Sequence, residues 1–263
     1  MDREIVRTGY DAVYGALSRS PTLRAIWRDH AQGPGYPEGF ENISFLTRAE
    51  LARLASELRV GPGARVADLG CGEGGPGLWI AGETGARLIG IDLSSVAVSN
   101  ATERSEKLSL ADVARFAVGV FDDTPLESGS VQGVMSVDAL QYAPDKRAAF
   151  QEVNRILSNG GRFAFTAFEL DRERVAGLPV ISADPVEDYR PLLEESGFRV
   201  EVYEESASWR PRLVATYEAV QAGHADLLEE MTEEAVTPLL MEVTLTLEHM
   251  PYRRRVLVAA TKQ

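Results

Sequence analysis

Two aspartates flanking a run of glycines are the residues of this 263-residue chain whose types and spacing could do chemistry. Val66-Ala67-Asp68-Leu69-Gly70-Cys71-Gly72-Glu73-Gly74-Gly75-Pro76-Gly77 carries an apolar run into an acid and a glycine cluster, and Leu88-Ile89-Gly90-Ile91 then leads to Asp92. The pattern predicts a strand, a tight turn and a helix, because glycine lets the backbone turn at a strand's carboxyl edge and approach a ligand closely. An acid about 20 residues beyond such a loop can accept hydrogen bonds from both hydroxyls of an adenosine ribose. A phosphate on that ribose would be repelled by the carboxylate, so the ligand has a free diol.

Gly70, Gly72 and Gly75 also satisfy the dinucleotide spacing G-x-G-x-x-G, which makes an NAD-dependent oxidoreductase the competing reading. Asp68 speaks against it, since its carboxylate stands two positions before the first glycine, where the charge of a pyrophosphate would lie. The competitor also needs a Tyr-x-x-x-Lys or metal-based hydride-transfer site, which is not expected here. A cationic ligand fits better. S-adenosylmethionine (SAM) carries a sulfonium and an ammonium, so Asp68-x-Gly70-x-Gly72-x-Gly74 suits its amino acid end while Asp92 holds its ribose.

On these residues the sequence resembles the class I SAM-dependent methyltransferases, in the small-molecule branch of ubiquinone/menaquinone-type and natural-product enzymes. The resemblance runs from Leu58 to Phe168 and more weakly onward to the C-terminal strand. It implies an α/β, Rossmann-like, doubly wound sheet of seven mostly parallel strands with an antiparallel last strand. Arg115–Leu126 is similar to the third strand and the segment near the adenine. Val120 stands where many relatives have an acid, so the adenine contact passes to the Phe121 backbone or to Asp122. Val131–Tyr142 matches the fourth strand, Lys146–Leu157 the following helix, and Gly160–Phe165 the fifth strand. The cofactor-binding set implied is Asp68, Gly70, Cys71, Gly72, Gly74, Asp92, Leu93, Phe121, Asp122 and Asp138.

The implied reaction is in-line methyl transfer from SAM, giving S-adenosylhomocysteine, to a small, apolar or aromatic acceptor. Such a site gains most by aligning the partners away from water. An oxygen or protonated nitrogen nucleophile needs a base, and the candidates are Asp138, Tyr142 and His30, with Tyr142 standing where several relatives carry a histidine. Asp138 and Tyr142 read equally well as structural groups. A protonated tyrosine acts as a donor or positioning group. Trp27, Tyr36, Phe45, Gln141 and Tyr142 are the candidate acceptor contacts, although aromatics beside a loop also serve simply to anchor it. A protein that binds SAM without turnover stands as a second alternative. Spacing fixes neither the acceptor atom nor the oligomeric state.

Composition narrows the partners. Lys and Arg number 27 against 40 Asp and Glu, a net charge of −13 that repels nucleic acid and anionic membrane surfaces. The start of the chain has no basic segment followed by an apolar run, so a cytoplasmic protein is expected. One cysteine and three scattered histidines predict no disulfide and no metal.

Helical periodicity at Ile5–Leu17 and Leu23–Trp27 is followed by a Gly/Pro loop at Gln32–Phe40, expected over the surface, and by a capping box, Thr47-Arg48-Ala49-Glu50, whose helix ends near Leu58. Glu187–Ser196 reads as a helix, Phe198–Glu205 as a strand, and 209–250 as a helical pair broken at Pro238. Arg253-Arg254-Arg255 reads as a solvated start to the last strand, which the resemblance places antiparallel between strands five and six. The chain is thus expected to be one catalytic domain, 1–263: an N-terminal cap segment (1–57), a SAM-binding core (58–206), a helical insertion (207–251) and a closing strand (252–263).

Overall fold

The computed structural model describes residues 3–17, 19–179 and 184–263. Met1 and Asp2, on which the reading of the chain's start partly rests, lie outside the described residues.

Helix α1 (Arg3–Leu17) is followed by α2 (Pro21–Ile26), which widens into a π-helical turn over Trp27–Gln32 and stops at Gly33. The start of α2 is set locally: Pro21 needs no amide partner, and the Ser20 hydroxyl accepts from Leu23 N at 3.0 Å. The predicted capping box opens α3 (Arg48–Leu58), with Glu50 N donating to Thr47 Oγ1 at 3.2 Å and Thr47 N to Glu50 Oε2 at 2.9 Å.

Strands and helices then alternate as β1 (Arg65–Leu69), α4 (Gly75–Thr84), β2 (Arg87–Asp92), α5 (Ser95–Lys107), β3 (Ala114–Val118), β4 (Val131–Val137), α6 (Lys146–Ile156) and β5 (Leu157–Leu170). After these come α7 (Arg190–Glu195), β6 (Phe198–Glu205), α8 (Trp209–Ala222), α9 (His224–Glu230), α10 (Glu233–Glu248) and β7 (Arg253–Lys262). The seven strands lie in the order β3-β2-β1-β4-β5-β7-β6, and β7 is antiparallel to both neighbours. Successive strands leave β1 in one direction, and β4 begins the other side. The crevice beyond the carboxyl ends of β1 and β4 is therefore the switch point where such sheets bind ligands.

Apolar side chains cover both sheet faces. Leu69, Val134, Phe150, Phe163 and Phe165 pack on one side; Leu54, Leu58, Met135 and Leu257 pack on the other. A separate apolar cluster joins α1, α2, α8, α9 and α10 through Leu23, Trp27, Leu213, Val220, Leu227 and Val243. Glu230 fastens this cap by accepting from Ser20 Oγ at 2.6 Å and Thr22 Oγ1 at 2.7 Å.

Three expectations are corrected. The insertion holds three helices rather than two, separated at Gly223 and at Met231–Thr232, and Pro238 lies inside α10 instead of breaking it. Near a helix start a proline removes one backbone bond, a loss that packing can outweigh. The helix expected at Glu187 begins instead at Arg190, where Pro191 occupies its first turn. Before it, Glu187 accepts from Arg172 N and Asp188 from Arg190 N, both at 2.9 Å. Finally, β5 extends to both sides of Gly160–Phe165, because β4 pairs with it at Leu157 and β7 from Arg162 to Leu170.

Candidate active site

One cavity of about 470 Å³ opens at the switch point and runs from the glycine loop to the underside of the cap. Asp68, Gly70, Cys71, Gly72, Asp92, Leu93 and Phe121 line one end. Tyr10, Trp27, Phe45, Tyr142, Tyr217 and Glu242 are among the residues at the other. Its walls are mainly apolar, as is usual for a site of this size.

At the loop end β1 delivers Asp68 and β2 delivers Asp92. Asp92 is held by the loop it faces: Gly72 N donates to Oδ2 at 2.8 Å and Ser94 N to Oδ1 at 2.9 Å. A carboxylate oxygen has two lone pairs, so each keeps capacity for a hydroxyl donor. Burial pushes the Asp92 carboxyl up, and those amides oppose the rise. Asp68 is 1% exposed, and its Oδ1 has no hydrogen-bond partner. Burial, and then the charge of Asp92, push it up to about 7. An orphaned carboxylate oxygen beside a second, half-buried acid fits a cationic ligand, and the SAM ammonium and sulfonium would supply that charge. Gly72, at φ 52°, leaves no room for a side chain, since a Cβ there would lie 2.6 Å from the Tyr14 hydroxyl. Cys71 is buried with its thiol pushed up by desolvation, which leaves it packed and unreactive.

Several expected positions are displaced. Gly74 and Asp122 do not line the cavity; Gly74 caps α4, and a Cβ there would strike the Phe116 ring at 2.9 Å. Val120 lines the wall in place of Asp122. His30 is exposed on the outer side of the π-helical turn, away from the cavity, and so cannot take a proton there. Tyr36 is also outside, accepting from Asn42 Nδ2 at 2.6 Å and packing against the core of the sheet.

Asp138 sits at φ 48° with its carboxylate already committed. Arg255 donates to it through Nε at 2.8 Å and Nη2 at 3.1 Å, and Phe45 N donates at 2.9 Å. That geometry makes it a positioning group rather than a base, one that ties β4, β7 and the loop before α3 together. The solvated reading of Arg253–Arg255 is overturned accordingly. Alternation turns Arg253 and Arg255 inward and leaves Arg254 half exposed. Arg255 is 0% exposed and also bonds Glu50 at 2.5 Å.

Tyr142 lines the cap end of the cavity, with its ring edge-on to Tyr10 at 5.3 Å and its hydroxyl donating to Glu242 at 3.1 Å. Burial and the Glu242 charge push that hydroxyl up, so it stays protonated. Gln141 lines the wall and donates from Nε2 to the Asp138 carbonyl at 2.5 Å. A Tyr-x-x-x-Lys spacing does occur, as Tyr142 and Lys146, contrary to expectation. Lys146 instead donates to the carbonyls of Gln141 at 3.0 Å and Ala143 at 2.7 Å, so it braces the turn.

Tyr10, Tyr14, Tyr217 and Glu242 line the cavity without having been singled out as site residues in the sequence, and Arg253, read there as solvated, joins them. Glu242 had a visible signal: it is the one charged residue between Glu234 and Glu248 in an apolar helix. Among the described residues no cluster of His, Cys, Asp or Glu could hold a metal ion, and no helix is long and apolar enough to cross a membrane.

Comparison with known proteins agrees with this geometry. A methyltransferase-domain family matches residues 67–165. The chain is 26% identical over 249 residues to a 27-O-demethylrifamycin SV methyltransferase of Amycolatopsis mediterranei, covering 90% of this chain and 88% of that one. It is 34% identical over 110 residues to a sterol 24-C-methyltransferase of Gibberella zeae, but spans only 29% of that protein. In fold it is similar to the cyclase SpnF (TM-score 0.76, 21% identity, 98% of this chain and 95% of that one). It is also similar to geranyl diphosphate C-methyltransferase of Streptomyces coelicolor (TM-score 0.62, 20% identity, 82% and 79%). Residues 67–165, which carry the glycine loop and both acids of the switch point, thus match a methyltransferase domain, and along most of its length the chain is similar to a SAM-dependent small-molecule methyltransferase.

Proposed function

We propose that the chain transfers the SAM methyl group to a small, apolar or aromatic molecule enclosed between the nucleotide core and the cap. The observation that carries this reading is one continuous cavity, which joins the two acids at the loop to an aromatic chamber under α1, α8 and α10. Asp92 would hold the ribose hydroxyls, Asp68 the ammonium, and Gly70–Gly72 the close backbone contacts. Leu93 and Phe121 would flank the adenine. Trp27, Phe45, Gln141, Tyr142 and Tyr217 would surround the acceptor. SAM supplies an electrophilic methyl group, and the protein's share is to align it and exclude water.

Relatives named for a rifamycin and a sterol, and a fold neighbour named for geranyl diphosphate, support a small-molecule acceptor. The charge of −13 supports the same choice over nucleic acid. On this reading the protein is one catalytic unit of the cytoplasm, with 1–57 and 207–251 as its cap.

A second reading has one observation in its favour. The fold neighbour that spans 98% of this chain is a cyclase, and a fold does not by itself dictate a reaction. Calorimetric titration with SAM, S-adenosylhomocysteine and NAD, followed by incubation with methyl-labelled SAM and apolar hydroxy, amino and carbon acceptors, separates the possibilities. Micromolar SAM binding with label transfer is expected. SAM binding without transfer to any acceptor would favour cyclase-type or non-catalytic use of the site, and NAD binding would overturn the cofactor roles.

A further inference from the structure

Three arginines begin β7, and only one lacks a partner. Arg254 pairs with Glu169 and Glu205, and Arg255 with Asp138 and Glu50. Arg253 is 8% exposed and lines the cavity. Its side chain makes no hydrogen bond or ion pair among the described residues, and its Nε is wholly buried without a partner. Its guanidinium lies 5.9 Å from the Phe168 ring centre. The Glu242 charge acts on it only across the chamber, and a guanidinium buried without a hydrogen-bonded partner is costly, so the cavity is the side from which a partner can come.

Glu242 reaches the same chamber from α10. Its Oε1 accepts from Tyr142 and Tyr217, each at 3.1 Å, while Oε2 makes no hydrogen bond among the described residues. The other titratable groups around the pair are Tyr10, Tyr142, Tyr217 and His249. Burial holds the three phenols protonated, and burial with the Arg253 charge holds the imidazole neutral. Burial pushes the Glu242 carboxyl up, and the two phenol hydrogen bonds and the Arg253 charge oppose the rise, so the chamber presents one carboxyl group able to take up a proton and one cation without a hydrogen-bonded partner, in apolar walls.

We propose that Glu242 and Arg253 are the acid–base and anion-binding ends of the acceptor site, and that the acceptor is an apolar molecule methylated on an acidic hydroxyl, a phenol or enol. The proposal rests on the methyl-transfer reading above. Charge decides among acceptor classes. A protonated amine is repelled by Arg253, and a carboxylate is repelled by Glu242. A hydroxyl that arrives neutral and reacts as an oxyanion satisfies both. Its proton passes to Glu242 Oε2, and the oxyanion is met by Arg253. The oxygen's electron pair forms the new O–CH₃ bond, and the pair of the broken CH₃–S bond remains on sulfur as the neutral thioether of S-adenosylhomocysteine. Glu242 then releases its proton to solvent.

The test uses the full chain and two probes, 7-hydroxycoumarin and its neutral ether 7-methoxycoumarin, with and without S-adenosylhomocysteine. The expected result is a preference of about tenfold or more for the hydroxy probe, with its absorption shifted to the phenolate form. Arg253→Met should abolish the preference and the shift, and Arg253→Lys should keep part of both. SAM affinity, unchanged in both variants, shows that they fold. With methyl-labelled SAM, Glu242→Gln should lower kcat for the hydroxy probe by about 100-fold, with SAM binding intact. Equal or absent binding of the two probes by the wild-type protein overturns the proposal, as does a preference that survives Arg253→Met or a failure of label to reach the hydroxy probe. If SAM binds and the probe preference is missing, this inference alone fails. If SAM does not bind, the functional reading fails with it.

Discussion

At the glycine-loop end of the cavity the partners are neighbours in the chain, with Gly72 donating to Asp92 across 20 residues and Ser94 to Asp92 across 2. At the cap end Tyr142 reaches Glu242 across 100 residues and Ser20 reaches Glu230 across 210, and between the ends Arg255 reaches Asp138 across 117. The first end is shaped by backbone: positive φ at the glycines, amides aimed at a carboxylate, and one strand–turn–helix unit. The second is shaped by side chains from four or more elements. A backbone-built site changes little when neighbouring side chains change, which suits a ligand of fixed structure. A side-chain-built site can be remade by substitution, which suits a variable acceptor.

The strongest way to break this contrast is to cut the joint between the two ends. Arg255→Met strips Asp138 and Glu50 of a fully buried cation and should cost about 3–5 kcal/mol of stability in chemical denaturation. A loss under about 1 kcal/mol would show that the ends are independent of that joint.

Asp92→Ala comes next. It removes two proposed ribose contacts at about 1 kcal/mol each, along with the acceptor for the Gly72 and Ser94 amides. SAM and S-adenosylhomocysteine affinities should both fall by about 10- to 100-fold by calorimetry. An unchanged affinity would remove Asp92 from the site.

Asp68 gives a pH signature. Its folded pKa is raised, from 3.8 to about 7, so the free protein loses stability as pH rises through that window, where the native state binds the extra proton. Binding a cation favours the ionised form. SAM affinity should therefore increase several-fold as pH rises toward and through about 7, with proton release measurable in buffers of different ionisation enthalpy. Asp68→Asn should flatten that dependence; a persistent slope would assign it to another group.

Tyr217→Phe is the smallest expected effect and sharpens the contrast most locally. One of two hydrogen bonds to Glu242 is lost, worth about 0.5–1.5 kcal/mol, so acceptor turnover should fall several-fold while SAM affinity stays constant. An equal loss of SAM affinity would mean that the two ends are coupled.

The contrast also explains what could be read beforehand. The capping box at Thr47–Glu50, strand Phe198–Glu205 and the antiparallel position of the last strand all appear as expected. His30 and Tyr36 fail because membership of a cavity depends on which face of a turn is covered, and their local pattern is compatible with either face. Asp138 was placed correctly at the end of β4, but its partner Arg255 is far away in sequence and the pairing left no local trace.

By itself, the sequence determined the alternation of strands and helices, the loop at the switch point and the two acids that face it. Each of these depends on backbone conformation and short-range periodicity, which a few adjacent residues specify. Only the tertiary structure decided that Asp138 is spent on Arg255, that the Arg253 side chain faces the cavity with no hydrogen-bonded partner among the described residues, and that Glu242 meets Tyr142. Those contacts are set by the packing of distant elements, and the energy of a buried charge depends on what packing brings beside it.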